Sequence, residues 1–145
     1  MRPPPPEPGD LARALPHRPP FRFVDEVLEV TPGDRIEAAR VFRPEEEFFR
    51  GHFPGEPIVP GVLLVECMAQ AAGLAEEDPG GARLARIDGA RFLAPVHPGD
   101  RVVVAMRRAA RFGPVVRYEG ECRVEGRVVA EGAVTLRTGS PEGRG

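Results

Sequence analysis

The feature that most restricts the fold is an apolar segment at residues 61–75, which lies between two runs of strand-like sequence. The segment is apolar nearly all round the helical circumference, and its strongly polar side chains are Glu66 and Gln70. Such a pattern predicts a buried helix, from Gly61 to about Glu76, rather than a helix on the surface. A buried helix must be covered on every side, and a chain of 145 residues has one core with which to cover it.

Alternation of apolar and polar residues predicts antiparallel strands before and after this helix. The predicted strands are residues 21–30, 35–42, 83–87, 90–92, 101–111, 115–124 and 127–137. A short helical turn is predicted at Pro44–Glu47, and the pair Glu125-Gly126 is a hairpin signal between the last two strands. One helix between runs of antiparallel strand indicates an α+β domain, with the sheet wrapped around the helix.

The composition argues against nucleic-acid and membrane partners. The formal net charge is -2, so no excess of basic charge favours binding to polyanions. The apolar run at 61–75 is shorter than the roughly 20 residues that a membrane span needs. The first residues lack the apolar core of a signal peptide. We therefore expect a cytoplasmic protein with no nucleic-acid partner and no membrane insertion.

Proline and glycine content indicates the limits of the domain. Residues 1–10 are predicted to be a disordered Pro-rich tail, residues 11–138 a single domain, and residues 139–145 a second disordered tail. The two cysteines, Cys67 and Cys122, lack the spacing of a metal site or of a C-x-x-C motif. They are expected to be reduced, buried thiols, and a disulfide is the alternative.

A rigid loop and the helix that follows it carry the candidate catalytic residues. His52 lies in the segment GHFPGEPIVPG, residues 51–61, whose glycines and prolines restrict the backbone at low entropic cost. Glu66 is the only charged residue of the apolar helix. A buried carboxyl without a partner is favoured as the neutral acid, which can donate a proton. Gln70 lies one turn later and can hydrogen-bond the same carboxyl.

Simpler explanations exist for each of these residues. Glu66 could face solvent or pair with an arginine, and a single histidine is more often a packed or surface residue than a catalyst. Gly61 could be an ordinary helix start, although its N–H lies at the positive end of the helix dipole and is suited to an oxyanion. His17 is expected to be structural, and His97 a surface residue. The joint presence of an acid and a base near the helix start favours catalysis.

Residues 51–70 resemble the FabZ-type 3-hydroxyacyl-[acyl-carrier-protein] dehydratases of bacterial fatty acid synthesis. That family's pattern, G-H-F-P-G-x-P-x-x-P-G-V-L-x-x-E-x-x-A-Q, is matched at every position. The segments LPHRPPF at 15–21 and IDGARF at 87–92 are also similar to the family, and the resemblance covers roughly residues 11–136. It implies the hotdog fold, an α+β fold in which a curved antiparallel sheet wraps a long central helix.

The resemblance also implies a reaction and its partners. His52 would remove the C2 proton of a (3R)-3-hydroxyacyl chain on acyl carrier protein, and Glu66 would protonate the leaving hydroxyl. The Gly61 N–H would polarise the thioester carbonyl. The implied supporting residues are Phe53, Pro60 and Gln70. The family implies no metal and no organic cofactor. It implies a homodimer with shared active sites, histidine from one subunit and glutamate from the other, and leaves open a trimer of such dimers.

Departures from the family lie near the substrate entrance. Residues 82–84, Ala-Arg-Leu, replace aromatic residues that gate the tunnel in the family. Residues 93–94, Leu-Ala, stand where the family often has basic residues that dock the carrier. The candidates that remain for carrier docking are Arg83, Arg86 and Arg91.

Two rival functions remain at this stage. A FabA-type dehydratase also isomerises the double bond, but that group carries Asp at the position of Glu66. A non-catalytic or accessory acyl-carrier-binding paralogue is the other rival, and the intact pair of His52 and Glu66 argues against it.

Overall fold

The computed structural model describes residues 15–77 and 81–139, which form one long helix and one six-stranded antiparallel sheet. The strands are β1 (Glu26–Thr31), β2 (Arg35–Val41), β3 (Arg83–Phe92), β4 (Arg101–Phe112), β5 (Val115–Val124) and β6 (Arg127–Arg137). The helix α1 spans Gly61–Ala75, and a 3-10 helix spans Glu47–Arg50. The N-terminal tail predicted at 1–10 lies outside the described residues, as does the C-terminal tail predicted at 139–145 except for Gly139.

The sheet curves around α1 with the strand order β1-β2-β4-β5-β6-β3. Apolar residues cover most of the helix surface, and Val62 is the only residue of α1 that is exposed. Met68, Ala71 and Ala72 are at most 1% exposed where the helix packs against the sheet. The all-round apolar pattern therefore correctly predicted a central helix, and the predicted hotdog fold is confirmed.

Three local predictions differ from the structure. The first strand begins at Glu26 rather than at residue 21, because the backbone of Phe21 and Phe23 bonds to a side chain of α1 instead of to a neighbouring strand. The single turn of helix lies at Glu47–Arg50 rather than Pro44–Glu47. The two short pieces at 83–87 and 90–92 are one strand, β3, interrupted by register shifts.

The predicted hairpin and the predicted thiols agree with the structure. Glu125 and Gly126 have positive φ values of 50° and 79°, as a tight two-residue hairpin between β5 and β6 requires. Cys67 and Cys122 are buried, and neither forms a disulfide. Burial raises the pKa of Cys122 to about 12 and that of Cys67 well above its usual value. Among the described residues, no helix is both long and apolar enough to span a membrane.

Candidate active site

The loop that carries His52 is fixed by hydrogen bonds within its own turn. The Ile58 N–H donates to the His52 carbonyl at 2.9 Å, and the Nδ1 atom of the His52 ring lies 3.1 Å from the carbonyl oxygen of Ile58. The ring also stacks on Phe53, with 4.0 Å between ring centroids. Phe53 is itself 51% exposed, so the stacked pair lies at the protein surface.

The His52–Ile58 contact determines which ring nitrogen is free. A carbonyl oxygen only accepts hydrogen bonds, so Nδ1 must carry the hydrogen in the neutral ring. The other nitrogen, Nε2, then holds a lone pair that can take a proton.

Contacts on both sides anchor this loop to the core. On the far side of the His52–Ile58 turn, the Val59 N–H donates to the Val96 carbonyl at 2.8 Å. Before it, the buried guanidinium of Arg40 pairs with Glu46, which precedes the 3-10 helix. That guanidinium also lies over the ring of Phe42, 4.7 Å from its centroid. The position of His52 is therefore set by elements of the core rather than by the loop alone.

Glu66 and Gln70 meet on one face of α1, as their spacing predicted. The Gln70 Nε2 atom donates to Glu66 Oε2 at 2.8 Å. Gln70 is 2% exposed, whereas the side chain of Glu66 keeps 19% of its surface accessible. The carboxyl is therefore held from the protein side and open on the other, which is the arrangement that a group reacting with a bound molecule needs.

His17 was predicted to be a structural residue, and the sequence analysis missed its position beside Glu66. Its Nε2 atom lies 3.6 Å from Glu66 Oε2. Its Nδ1 atom is buried and has no hydrogen-bond partner among the described residues. The motif LPHRPPF at 15–21 was the available signal, because it belongs to the part of the chain that resembles the family. His97 is exposed, as predicted, and its backbone N–H bonds to Asp100.

A cavity of about 340 Å³ adjoins the Glu66 carboxyl. Its polar lining includes His17, Glu66 and Gln70, and most of the remaining wall is apolar. The cavity is lined by Leu15, Pro16, His17, Phe21, Glu66, Ala69, Gln70, Gly73, Ala82, Arg83, Leu84 and Leu136. The departures from the family at residues 82–84 thus lie at the wall of this cavity.

Gly61 begins α1 directly after Pro60, so its N–H lies in the first turn, where no helical carbonyl can accept it. The structure also gives a packing reason for glycine here. A Cβ atom at this position would lie 2.9 Å from the ring of Phe92. Gly61 therefore lets β3 approach the start of the helix.

His52 and Glu66 are not joined within one chain. In the part of the chain that the structure describes, the polar contacts of the His52 ring are to Ile58, and those of the Glu66 carboxyl are to Gln70 and His17. Within the same residues, no three His, Cys, Asp or Glu side chains are grouped so that they could hold a metal ion.

The three arginines predicted to dock a carrier differ in whether they already pair with an acidic side chain. Arg86 pairs with Asp88 at 2.9 Å, and Arg91 pairs with Glu131 at 3.1 Å. Arg83 is exposed and has no acidic partner among the described residues. Arg137 lies opposite it on the adjacent strand β6. The sequence analysis did not single out Arg137, because the pairing of β3 with β6 is not visible in local patterns.

The single helix inside a six-stranded antiparallel sheet defines a hotdog-fold protein, with the candidate site beside that helix. Comparisons with known proteins agree with that fold. The family model described as a FabA-like domain matches residues 15–133. In fold, the chain is similar to a protein in the dehydratase heterocomplex ApeI:P from Xenorhabdus doucetiae, with a TM-score of 0.76 and 19% identity over 91% of this chain and 92% of that one.

Curated relatives are more similar in sequence. The chain is 44% identical over 133 residues to the 3-hydroxyacyl-[acyl-carrier-protein] dehydratase FabZ of Thiobacillus denitrificans, covering 85% of this chain and 92% of that protein. It is 43% identical over 130 residues to the FabZ protein of Anaeromyxobacter sp. strain Fw109-5, covering 83% and 82% of the two chains. The chain belongs to the FabZ-type 3-hydroxyacyl-[acyl-carrier-protein] dehydratase family of enzymes.

Proposed function

We propose that the chain converts (3R)-3-hydroxyacyl-[acyl carrier protein] to trans-2-enoyl-[acyl carrier protein] and water in fatty acid synthesis, with His52 as base and Glu66 as acid. The observation that carries this proposal is the contact between His52 Nδ1 and the Ile58 carbonyl, because it leaves Nε2 free to accept a proton. The family relationship supports the substrate class. The cytoplasmic location stays a prediction.

The proposed elimination balances with these two side chains. His52 Nε2 takes the C2 proton, and the electron pair of that C–H bond forms the C2–C3 double bond. The C3–O bond breaks as Glu66 gives its proton to the hydroxyl, which leaves as water. The Gly61 N–H stabilises negative charge on the thioester oxygen during the step. The enzyme ends with a protonated His52 and an ionised Glu66, and proton exchange with solvent restores both groups.

A homodimer completes the proposed site. Strand β3 has ten residues and pairs on one side with β6, and on its other side it has no strand partner among residues 15–77 and 81–139. An unpaired edge of this length is a ready surface for another strand. Strand β3 exposes Leu84, Ile87 and Phe92, each more than two-fifths exposed. Arg83 and Leu84 of this strand also line the cavity beside Glu66, so a second copy seated at this edge is the proposed source of the His52 that completes the site. A trimer of such dimers is compatible with this pairing and is not required by it.

The cavity beside Glu66 is the proposed binding place for the acyl chain. Its apolar wall suits a hydrocarbon tail, while its polar corner holds the acid. The neighbouring Arg83 and Arg137 lie opposite each other on paired strands, and two like charges at such positions repel unless an anion lies between or above them. Acidic residues of a carrier protein would relieve that repulsion. We therefore add Arg137 to the docking candidates Arg83, Arg86 and Arg91.

Charge reversal at Arg83 should weaken carrier docking. Arg83→Glu is expected to raise KM for a carrier-bound substrate by roughly tenfold at low salt, and by less as salt is added, because electrostatic docking is screened. KM for a small thioester analogue should rise much less. The control is Arg127→Glu, which reverses an exposed arginine at the other end of β6. Equal effects of Arg83→Glu and Arg127→Glu on the carrier-bound KM would place docking elsewhere.

The function itself is tested by one assay. Purified protein is mixed with 2-enoyl chains of several lengths on acyl carrier protein, and loss of the enoyl absorbance on hydration is followed, with product analysis by mass spectrometry. We expect reversible hydration to the 3-hydroxyacyl thioester. Formation of a cis-3-enoyl product would indicate the FabA-type isomerase instead. Tight carrier binding without turnover would indicate the non-catalytic paralogue.

A further inference from the structure

We propose that His17 is a positioning residue for the acid: with Gln70 it holds one oxygen of the Glu66 carboxyl, Oε2, so that the transferable proton lies on the other oxygen, Oε1. The inference rests on the proposed function, in which Glu66 is the acid. It assigns a role to residues 15–21, which lie outside both the His52 loop and the helix that carries Glu66.

The orientation of the Gln70 amide is set by three hydrogen bonds. Its Oε1 atom accepts the Phe23 N–H at 2.8 Å, and its Nε2 atom donates to the Phe21 carbonyl at 3.0 Å. The second Nε2 hydrogen goes to Glu66 Oε2 at 2.8 Å. A flipped amide would set its oxygen against the Phe21 carbonyl, so this orientation is the stable one. Glu66 Oε2 must therefore act as an acceptor.

His17 approaches the same carboxyl oxygen. The distance of 3.6 Å from its Nε2 to Glu66 Oε2 is slightly longer than a hydrogen bond, and a small side-chain movement closes it. The other ring nitrogen, Nδ1, is buried without a partner among the described residues. A buried lone pair without a partner is tolerated better than a buried N–H. The neutral ring is therefore best placed with its hydrogen on Nε2, directed at Glu66.

The segment that carries His17 is held in place by its own contacts. Leu15 is buried at 2% exposure, and the Arg18 guanidinium donates to the Leu15 carbonyl at 2.7 Å. The Phe21 N–H donates to the Arg18 carbonyl at 2.7 Å, which closes the turn after His17. An ordered turn therefore places the His17 ring beside Glu66. The same turn is held to the helix by the hydrogen bond from Gln70 to the Phe21 carbonyl.

When the His17 ring closes the 3.6 Å separation, Oε2 accepts from two donors, Gln70 and His17, and this has a chemical consequence. An oxygen that accepts two N–H groups is the poorer place for the acid proton, so the proton of neutral Glu66 resides on Oε1. If both donors are present, the carboxyl cannot rotate freely and the proton stays directed at one point in the cavity. Loss of His17 leaves a single donor, and the productive orientation is populated less often.

Three variants at His17 test this role through the donor atom. Gln places an amide nitrogen near the Nε2 position, Asn places one near the Nδ1 position, and Leu keeps bulk without a donor. With carrier-bound substrate, we expect His17→Leu and His17→Asn to lower kcat by about tenfold with little change in KM, and His17→Gln to stay within about threefold of the parent. Thermal unfolding identifies any variant that fails to fold. If His17→Leu fails to fold, the comparison of His17→Asn with His17→Gln still tests the position of the donor.

A double variant separates action through Glu66 from any independent role. If His17 acts through the acid, adding His17→Asn to Glu66→Gln should lower kcat no further, because the group being positioned no longer carries a proton. Multiplied losses in the double variant, or equal losses for Asn and Gln, would overturn the inference. An inactive parent protein, or full activity of Glu66→Gln, would instead overturn the proposed function, so the two failures are distinguishable.

Discussion

Glu66→Gln is expected to lower kcat for dehydration by about 10²-fold or more while leaving the fold intact, because general acids contribute on that scale. The substitution keeps the shape of the side chain. Its amide oxygen can still accept the hydrogen bond that Gln70 now gives to Glu66 Oε2. What is lost is the ability to give a proton to the leaving hydroxyl. The measurement is kcat with carrier-bound 3-hydroxyacyl substrate, together with the midpoint of thermal unfolding.

A matched variant shows whether the loss belongs to this carboxyl. Glu77→Gln makes the same chemical change at an exposed residue just beyond the end of α1. It should leave kcat and KM unchanged. An active Glu66→Gln protein with a normal unfolding midpoint would show that Glu66 is not the acid. His17 could then act only in binding, because the acid that it is proposed to position would have no role.

The central helix was predictable because its signal is local and strong. Its predicted start at Gly61 agrees with the structure, and its predicted end near Glu76 lies one residue beyond the observed end. An all-round apolar surface leaves a helix no stable place except the core, whatever the order of the strands. The late strands were equally clear, since alternation and a two-residue hairpin signal occur within short stretches of sequence.

The contacts around Glu66 were predictable only in part. The pairing of Glu66 with Gln70 follows from helical spacing, because residues four apart lie on the same face. The bonds from Gln70 to Phe21 and Phe23 do not follow from any local pattern, and they are the reason that the first strand starts late. His17 lies beside the carboxyl because the segment that follows it is bonded to Gln70 of the helix. Such long-range contacts depend on tertiary packing, which periodicity does not encode.

The edge of the sheet is a second feature that local patterns missed. Residues 83–92 lack clean alternation, so they were predicted as two short pieces. They form one strand because β6 pairs with the whole length of the segment, with register shifts at two places. That pairing brings Arg83 opposite Arg137, and no other described strand pairs with the outer edge of β3. The arginine pair concerns the proposed docking of the carrier protein, and the outer edge concerns the proposed second subunit.

Mixing two inactive variants should restore activity if the site is shared between subunits. His52→Ala and Glu66→Gln proteins are each expected to be nearly inactive. After unfolding together in equal amounts and refolding, half of the dimers should be mixed. Each mixed dimer has one site with both residues intact and one with neither. We therefore expect recovery of roughly a quarter of the parent activity, by the statistics of a two-fold dimer.

The basis for this expectation is that His52 and Glu66 make no polar contact within the described residues of one chain, while each is held firmly by its own neighbours. The cavity beside Glu66 is lined without His52 of the same chain, so we expect a second copy to bring its His52 to that cavity. The control is each variant refolded alone at the same total concentration, which should stay nearly inactive. If the mixture is no more active than these controls although mixed dimers are detected by mass spectrometry, the two residues act within one chain, and the shared site is wrong.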